Sequence, residues 1–247
     1  SVNEFRPTYQ RIRDFRGFDE RFPAITVRLP DGGSFRAGTD NSSHANELDQ
    51  DTVEVTNDLT MVRGAHTWTI GTHNEFFKFR NLFIQNLFGN YEFASLDTFE
   101  AGLAQAFSHG FSLTGDPRFP ARFDVYQLGF YAGDQWRVHP RFTLTYGLRW
   151  DRPIFPDEPT ANPAAVANYG YATDVVPAPQ TWSPRAGFNW ALWGDVATRQ
   201  QLRGGFGLFG GRNPFVYLSN QYGNTGIEFR RLSLNFNANN RVAFSPD

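Results

Sequence analysis

The chain has no cysteine in its 247 residues, which excludes disulfides and thiolate chemistry. That absence identifies no compartment, yet it suits a protein that crosses an oxidising periplasm unfolded. Lysine is nearly missing too: Lys78 stands alone and the other positive charges are arginines. At a net charge of −2 no bulk attraction for nucleic acid exists, and none is expected as a partner. No apolar run approaches the roughly 18 residues of a membrane-spanning helix. The opening Ser1-Val2-Asn3-Glu4 has neither the basic start nor the apolar core of a signal peptide. Such a segment was removed, or the chain is part of something longer. Neither HExxH nor GxSxG occurs, so the common metalloprotease and hydrolase signatures are also missing.

Aromatic side chains are abundant, at 17% of the chain with 26 Phe, and their placement is periodic. In Phe142-Thr143-Leu144-Thr145-Tyr146-Gly147-Leu148-Arg149-Trp150 every even residue is large and apolar, while every odd one is Thr, Gly or Arg. Period two means a strand with two unlike faces. About 9–11 tilted residues span a bilayer core, and a membrane barrel turns its apolar face to lipid and its polar face to the lumen. The mean hydropathy of −0.48 is no objection, because only alternate strand residues meet lipid.

Residues 1–50 read as mostly irregular, with Ile25, Val27 and Leu29 hinting at one short strand. From residue 51 the alternation predicts strands over 53–61, 68–79, 87–94, 123–138, 142–150, 182–192, 202–208 and 227–236. Asp134 interrupts the apolar face of its strand. The turns near 64, 139 and 195 are short. The connections near 97–120, 152–180 and 210–226 are long, and the middle one is too rich in proline to enter a ladder. Outer-membrane barrels have short periplasmic turns and long extracellular loops. Trp68, Trp136 and Trp193 stand beside short turns, and Trp150 and Trp182 flank a long loop, as interfacial tryptophans do. The competing reading places them in the core of a soluble sandwich.

The candidate functional residues are inward arginines. Arg137, Arg149, Arg185 and Arg203 lie on the polar faces of their strands and would line one lumen. There they would favour anionic solute or pair with carboxylates of a plug; the plainer reading is solvated charges balanced by Asp and Glu. His73 and Glu75 share a strand face and could touch one metal ion, but two polar residues in water explain them, so no metal is expected. Gly205-Phe206-Gly207-Leu208-Phe209-Gly210 fits GxGxxG, yet Gly211-Arg212-Asn213-Pro214 opens a loop where a dinucleotide fold needs a helix. Asp157-Glu158 has no assignable facing carboxylate for glycosidase chemistry. No catalytic residue and no cofactor is expected. Phe215, Tyr217 and Tyr222 either stack on sugar or peptide ligands or pack the loops together.

Five segments carry a family resemblance. They are Asp58-Leu59-Thr60 through Arg63-Gly64-Ala65-His66-Thr67 with Ile70-Gly71; Gly129-Phe130-Tyr131-Ala132-Gly133-Asp134-Gln135-Trp136-Arg137; Arg141 through Asp151; Ser183-Pro184-Arg185-Ala186-Gly187-Phe188; and Leu202-Arg203-Gly204-Gly205-Phe206-Gly207-Leu208-Phe209. Over roughly 50–212 the chain resembles the barrel of TonB-dependent outer-membrane receptors, the Oar-like group in particular. The resemblance implies an all-β fold: an antiparallel transmembrane β-barrel segment, central in a 22-stranded barrel. Eight or nine strands are expected here, with 1–50 mostly loop, 51–247 barrel, and no plug or TonB box. The implied function is substrate uptake across the outer membrane, without catalysis. The implied partners are outer-membrane lipid, the plug domain and TonB complex of the full-length protein, and a small solute, glycan or peptide. The alternatives are a passive porin-like or adhesive outer-membrane barrel, and a soluble secreted carbohydrate-binding β-sandwich. The sandwich requires Phe142, Leu144, Tyr146 and Leu148 to be buried in protein.

Overall fold

A computed structural model describes residues 1–192, 200–211, 213–237 and 239–246. In chain order, β1 (Val2–Phe15) leads to two short strands, β2 (Ala24–Arg28) and β3 (Ser34–Ala37). The long hairpin β4 (Asn46–Arg63) and β5 (His66–Phe83) follows, then β6 (Asn90–Phe93), helix α1 (Leu96–Glu100), β7 (Leu103–Ala104) and β8 (Ala106–Ser112). A second long hairpin, β9 (Ala121–His139) and β10 (Phe142–Ile154), precedes helix α2 (Pro163–Tyr169), β11 (Thr181–Ala191) and β12 (Gln201–Gly207). A 3₁₀ turn (Phe215–Leu218), α3 (Ser219–Gly223), β13 (Phe229–Asn235) and β14 (Val242–Ala243) complete the described elements.

Seven strands form one antiparallel sheet in the order β1-β4-β5-β9-β10-β11-β12. Chain order equals spatial order, as in an up-and-down meander. The sheet is open, with β1 and β12 at its edges. Register turns alternation into two continuous surfaces, because directly opposed residues share a face. Leu144 opposes Trp136 and Phe188, Leu148 opposes Ala132 and Pro184, and Trp150 opposes Phe130 and Trp182. On the other face Thr145 meets Gln135 and Gly187, and Gly147 meets Gly133 and Arg185. None of Phe142, Leu144, Tyr146 and Leu148 belongs to a buried cluster, and Leu148 is 44% exposed. The soluble sandwich requires the opposite and is overturned.

Short and long connections separate by end. Gly64 and Ala65 alone join β4 to β5, with Gly64 at φ 60°. A left-handed first residue in a two-residue loop matches the twist of the flanking strands. Pro140 and Arg141 alone join β9 to β10. The long connections all leave the opposite end and fold against one another. Their short strands build a second sheet in the order β13-β8-β6-β2-β3, with β2 and β6 parallel. Ile25, Val27, Tyr91, Phe93 and Ala104 form its core.

Four expectations change. Residues 1–50 are not mostly loop: β1 pairs with β4 over 14 residues. It escaped the reading because an edge strand facing solvent needs no apolar period. It is held by ladder bonds and by the ion pairs Arg6–Asp58 at 3.0 Å and Arg13–Asp51 at 2.7 Å, and an edge also tolerates Pro7. The segments 87–94 and 227–236 do contain strands, β6 and β13, but these belong to the second sheet. The long sheet therefore has seven strands among the described residues, not eight or nine. The stretch 97–120, expected as a long loop with a helical turn near residues 99–107, holds the end of α1 together with β7 and β8. The turn at Gly194-Asp195 and Trp193 lie outside the described residues.

Candidate functional site

The polar face of the long sheet encloses a cavity of about 920 Å³, touched by Arg6 on β1, Thr56 on β4, Thr69 on β5, Tyr131 on β9, Arg149 on β10 and Arg185 on β11. Six strands of one sheet can surround one space only if that face is concave. A second cavity, about 420 Å³, continues toward the long connections past Glu75, Gln127, Ser183 and Asn213. Glu54, His73, Arg149 and Arg185 border both.

Glycines on this face make room for long polar side chains. Gly71 sits between Asp58 and Tyr131 in register. A Cβ there would fall 2.5 Å from the Tyr131 ring. The bare backbone lets Tyr131 lie across β5 and donate its hydroxyl to Asp58, which also takes Arg6 at 3.0 Å. Gly129 plays the same part beneath Arg149 and Asp151.

The four candidate arginines divide. Arg149 is forked onto Asp151, with Nε 2.8 Å from Oδ2 and Nη2 2.7 Å from Oδ1, and lies 5.5 Å from the Tyr131 ring centroid. Arg185 faces the ring of Phe209 at 5.4 Å and has no ion pair among the described residues. Arg203 keeps to the same face in register with Asn189, whereas the register shift opposite Phe142 and Leu144 interrupts the alternation at Arg137, and neither lines the cavity. The structure therefore gathers two of the four, one balanced by a carboxylate as the plainer reading holds. Register adds what spacing missed: His73 is joined by Glu54 as well as Glu75, at 3.6 and 3.8 Å.

Toward the long connections the concave face turns apolar, through Phe77 and Phe79 on β5 and Phe123 and Val125 on β9. The segment after β12 folds back onto it, burying Phe215 and Tyr222 in the same cluster. Tyr222 stacks on Phe123 at 4.4 Å and donates to the Asp157 carbonyl at 2.9 Å. Burial, with Asp157 adding to it, pushes this hydroxyl up to about 12. Phe215 and Tyr222 thus pack a loop, while Tyr217 is exposed.

The convex face carries aromatics at both ends. Near the short turns, Trp68 and Trp136 sandwich His66, with ring centroids 5.6 and 5.3 Å away. His66 Nδ1 lies 2.6 Å from Asp134 Oδ2, and the Tyr146 hydroxyl donates to the same oxygen at 3.0 Å. The acid that interrupts the apolar face is thus buried beneath aromatic rings and bonded through Oδ2, which lowers the cost of a carboxylate on an apolar surface. At the other end Trp150 stacks on Phe130 at 5.9 Å and lies 6.4 Å from Trp182. Trp190, on the same outer face at even spacing from Trp182, packs on Phe142 at 6.4 Å near the short turns. The eight residue steps from Trp182 to Trp190 span about 27 Å of strand, or about 20 Å along the normal for a tilt near 40°, close to the roughly 25 Å apolar band of such barrels.

No curated protein and no solved structure matches the chain. Residues 7–246 match the family model described as outer membrane beta barrel domain. With an exposed aromatic-edged face opposite a polar concave one, this protein belongs to the outer membrane β-barrel domain family and resides in the outer membrane.

Proposed function

We propose that the protein is a TonB-dependent receptor of the Oar-like group and that this chain is the central part of its barrel. The seven-stranded sheet is then lipid-facing wall, and its concave face lines the route of a solute entering the cell. The long connections with their own sheet capture a small solute, glycan or peptide outside. Energy relayed by TonB from the inner membrane moves a plug domain of the full-length protein, and no covalent chemistry is involved. The observation that carries this reading is the segment folded onto the concave face, where Phe215 and Tyr222 pack against Phe77, Phe79 and Phe123. A passive pore works through an open mouth, whereas here the wall is covered at its outer end, as a gated route requires. Arg185 beneath that cover, without an ion pair among the described residues, favours an anionic group on the solute.

The test is a binding assay of the full-length protein with the periplasmic domain of TonB, paired with conductance in a planar bilayer. Retention of TonB with no steady current is expected. A steady open-channel current without TonB binding would establish the passive pore. Neither current nor TonB binding would favour an adhesive barrel.

A further inference from the structure

Where the two cavities meet, three metal-ligating side chains converge. Glu54 on β4 is directly opposite Glu75 on β5, and His73 stands opposite Thr56, one step along the same face. A ligand atom from each lies within 4.8 Å of the others. The two carboxylates are directly opposed on one strand pair, and Glu75 is only 5% exposed, so a dication bound between them would meet both charges at short range with little screening by water. The His73 ring presents Nδ1 to Thr56 Oγ1 at 2.9 Å and to Glu54 at 3.6 Å, and Nε2 to Glu75 at 3.8 Å, which leaves Nε2 to bind a metal beside Glu75 while Glu54 swings toward it from the Nδ1 side. Partners of this kind on the second nitrogen are what fix a ligating imidazole.

We propose that Glu54, His73 and Glu75 form a site for one divalent transition-metal ion, with Zn²⁺ as the reference ion. One imidazole and two carboxylates suit a borderline metal, whereas Ca²⁺ and Mg²⁺ require more oxygen donors. Bonds of about 2.0–2.2 Å put tetrahedral donors roughly 3.4 Å apart. The present separations must therefore close by an ångström or so. Glu54 makes that adjustment, since its side chain is 35% exposed and can change rotamer. The remaining position opens onto the cavities and takes water. Spacing alone offered only His73 and Glu75; the third ligand comes from a neighbouring strand and exists only in this register.

The experiment is calorimetric titration of the full-length protein, purified in detergent and stripped with chelator, against Zn²⁺ alone and Ca²⁺ alone. One saturable Zn²⁺ equivalent is expected, with none for Ca²⁺. Glu54→Gln should weaken it at least tenfold and His73→Ala should abolish it. His139→Ala, at the end of β9 beside a short turn and far from the cluster, should leave it unchanged. Heat-modifiable gel mobility identifies folded variants, and Glu54→Gln decides the matter if His73→Ala does not fold. Absence of a saturable Zn²⁺ equivalent, equal binding of Ca²⁺, or undiminished affinity in either folded variant overturns the site.

Discussion

Leu144 and Thr145 are neighbours in sequence and face opposite solvents. Leu144 stands on the convex face between Trp136 and Phe188, and Thr145 lines the concave cavity. An arginine on the lipid side costs about 2–4 kcal/mol at the bilayer midplane and about 0–1 near the interface. Leu144 lies two residues in from Phe142, which is paired with Trp190 at the rim. That is about 7 Å of strand, or about 5 Å of depth at a 40° tilt. An intermediate cost of about 2 kcal/mol follows for Leu144→Arg, near a thirtyfold loss in the folded-to-unfolded ratio. Thr145→Arg, with its guanidinium in a water-filled cavity, should cost less than about 0.5 kcal/mol. The assay is denaturant titration in lipid vesicles, followed by tryptophan fluorescence and read as the shift in midpoint. Equal penalties at both positions, or a larger one for Thr145→Arg, would refute the assignment of faces.

Gly71→Ala should displace Tyr131, whose ring is 2.5 Å from where the methyl would sit, at a cost of about 1–3 kcal/mol. In that background Tyr131→Phe should cost almost nothing further, which a double-mutant cycle measures. Tyr222→Ala removes a ring stacked on Phe123 and should loosen the covering segment by about 3–5 kcal/mol, raising bilayer conductance if that segment closes the route. Burial holds the ring of His44, fully enclosed in the second sheet's surroundings, below the ordinary histidine range. The unfolded chain therefore binds this proton more readily, so stability is fully present above about pH 6.5 and falls as pH drops below it. Protection factors for amide exchange in β2 and β6, corrected for the intrinsic pH dependence of exchange, should fall between pH 7 and 5.5, and less so in a His44→Gln variant.

The strands of the long sheet were legible because their environment is asymmetric. A strand with lipid on one side and water on the other must alternate, and 142–150 and 182–190 do so without interruption. The same asymmetry underlies the placing of Trp68, Trp136, Trp150 and Trp182 at strand ends and of Arg149, Arg185 and Arg203 on the inner face. β1 was not legible, since at an open edge neither face is forced to be apolar. The loops concealed a second sheet because β2, β6, β8 and β13 are short and find their partners across separations of tens to more than a hundred residues. Their pairing depends on which connections leave the same end of the meander. The candidate site divides along the same line. Composition and period two, set by the bilayer as solvent, determined an all-β outer-membrane wall with a polar inner face. Strand register alone decided that Tyr131 reaches Asp58 over Gly71 and that Glu54 joins His73 and Glu75. Those contacts run across the strands, and a sequence records only what lies along them.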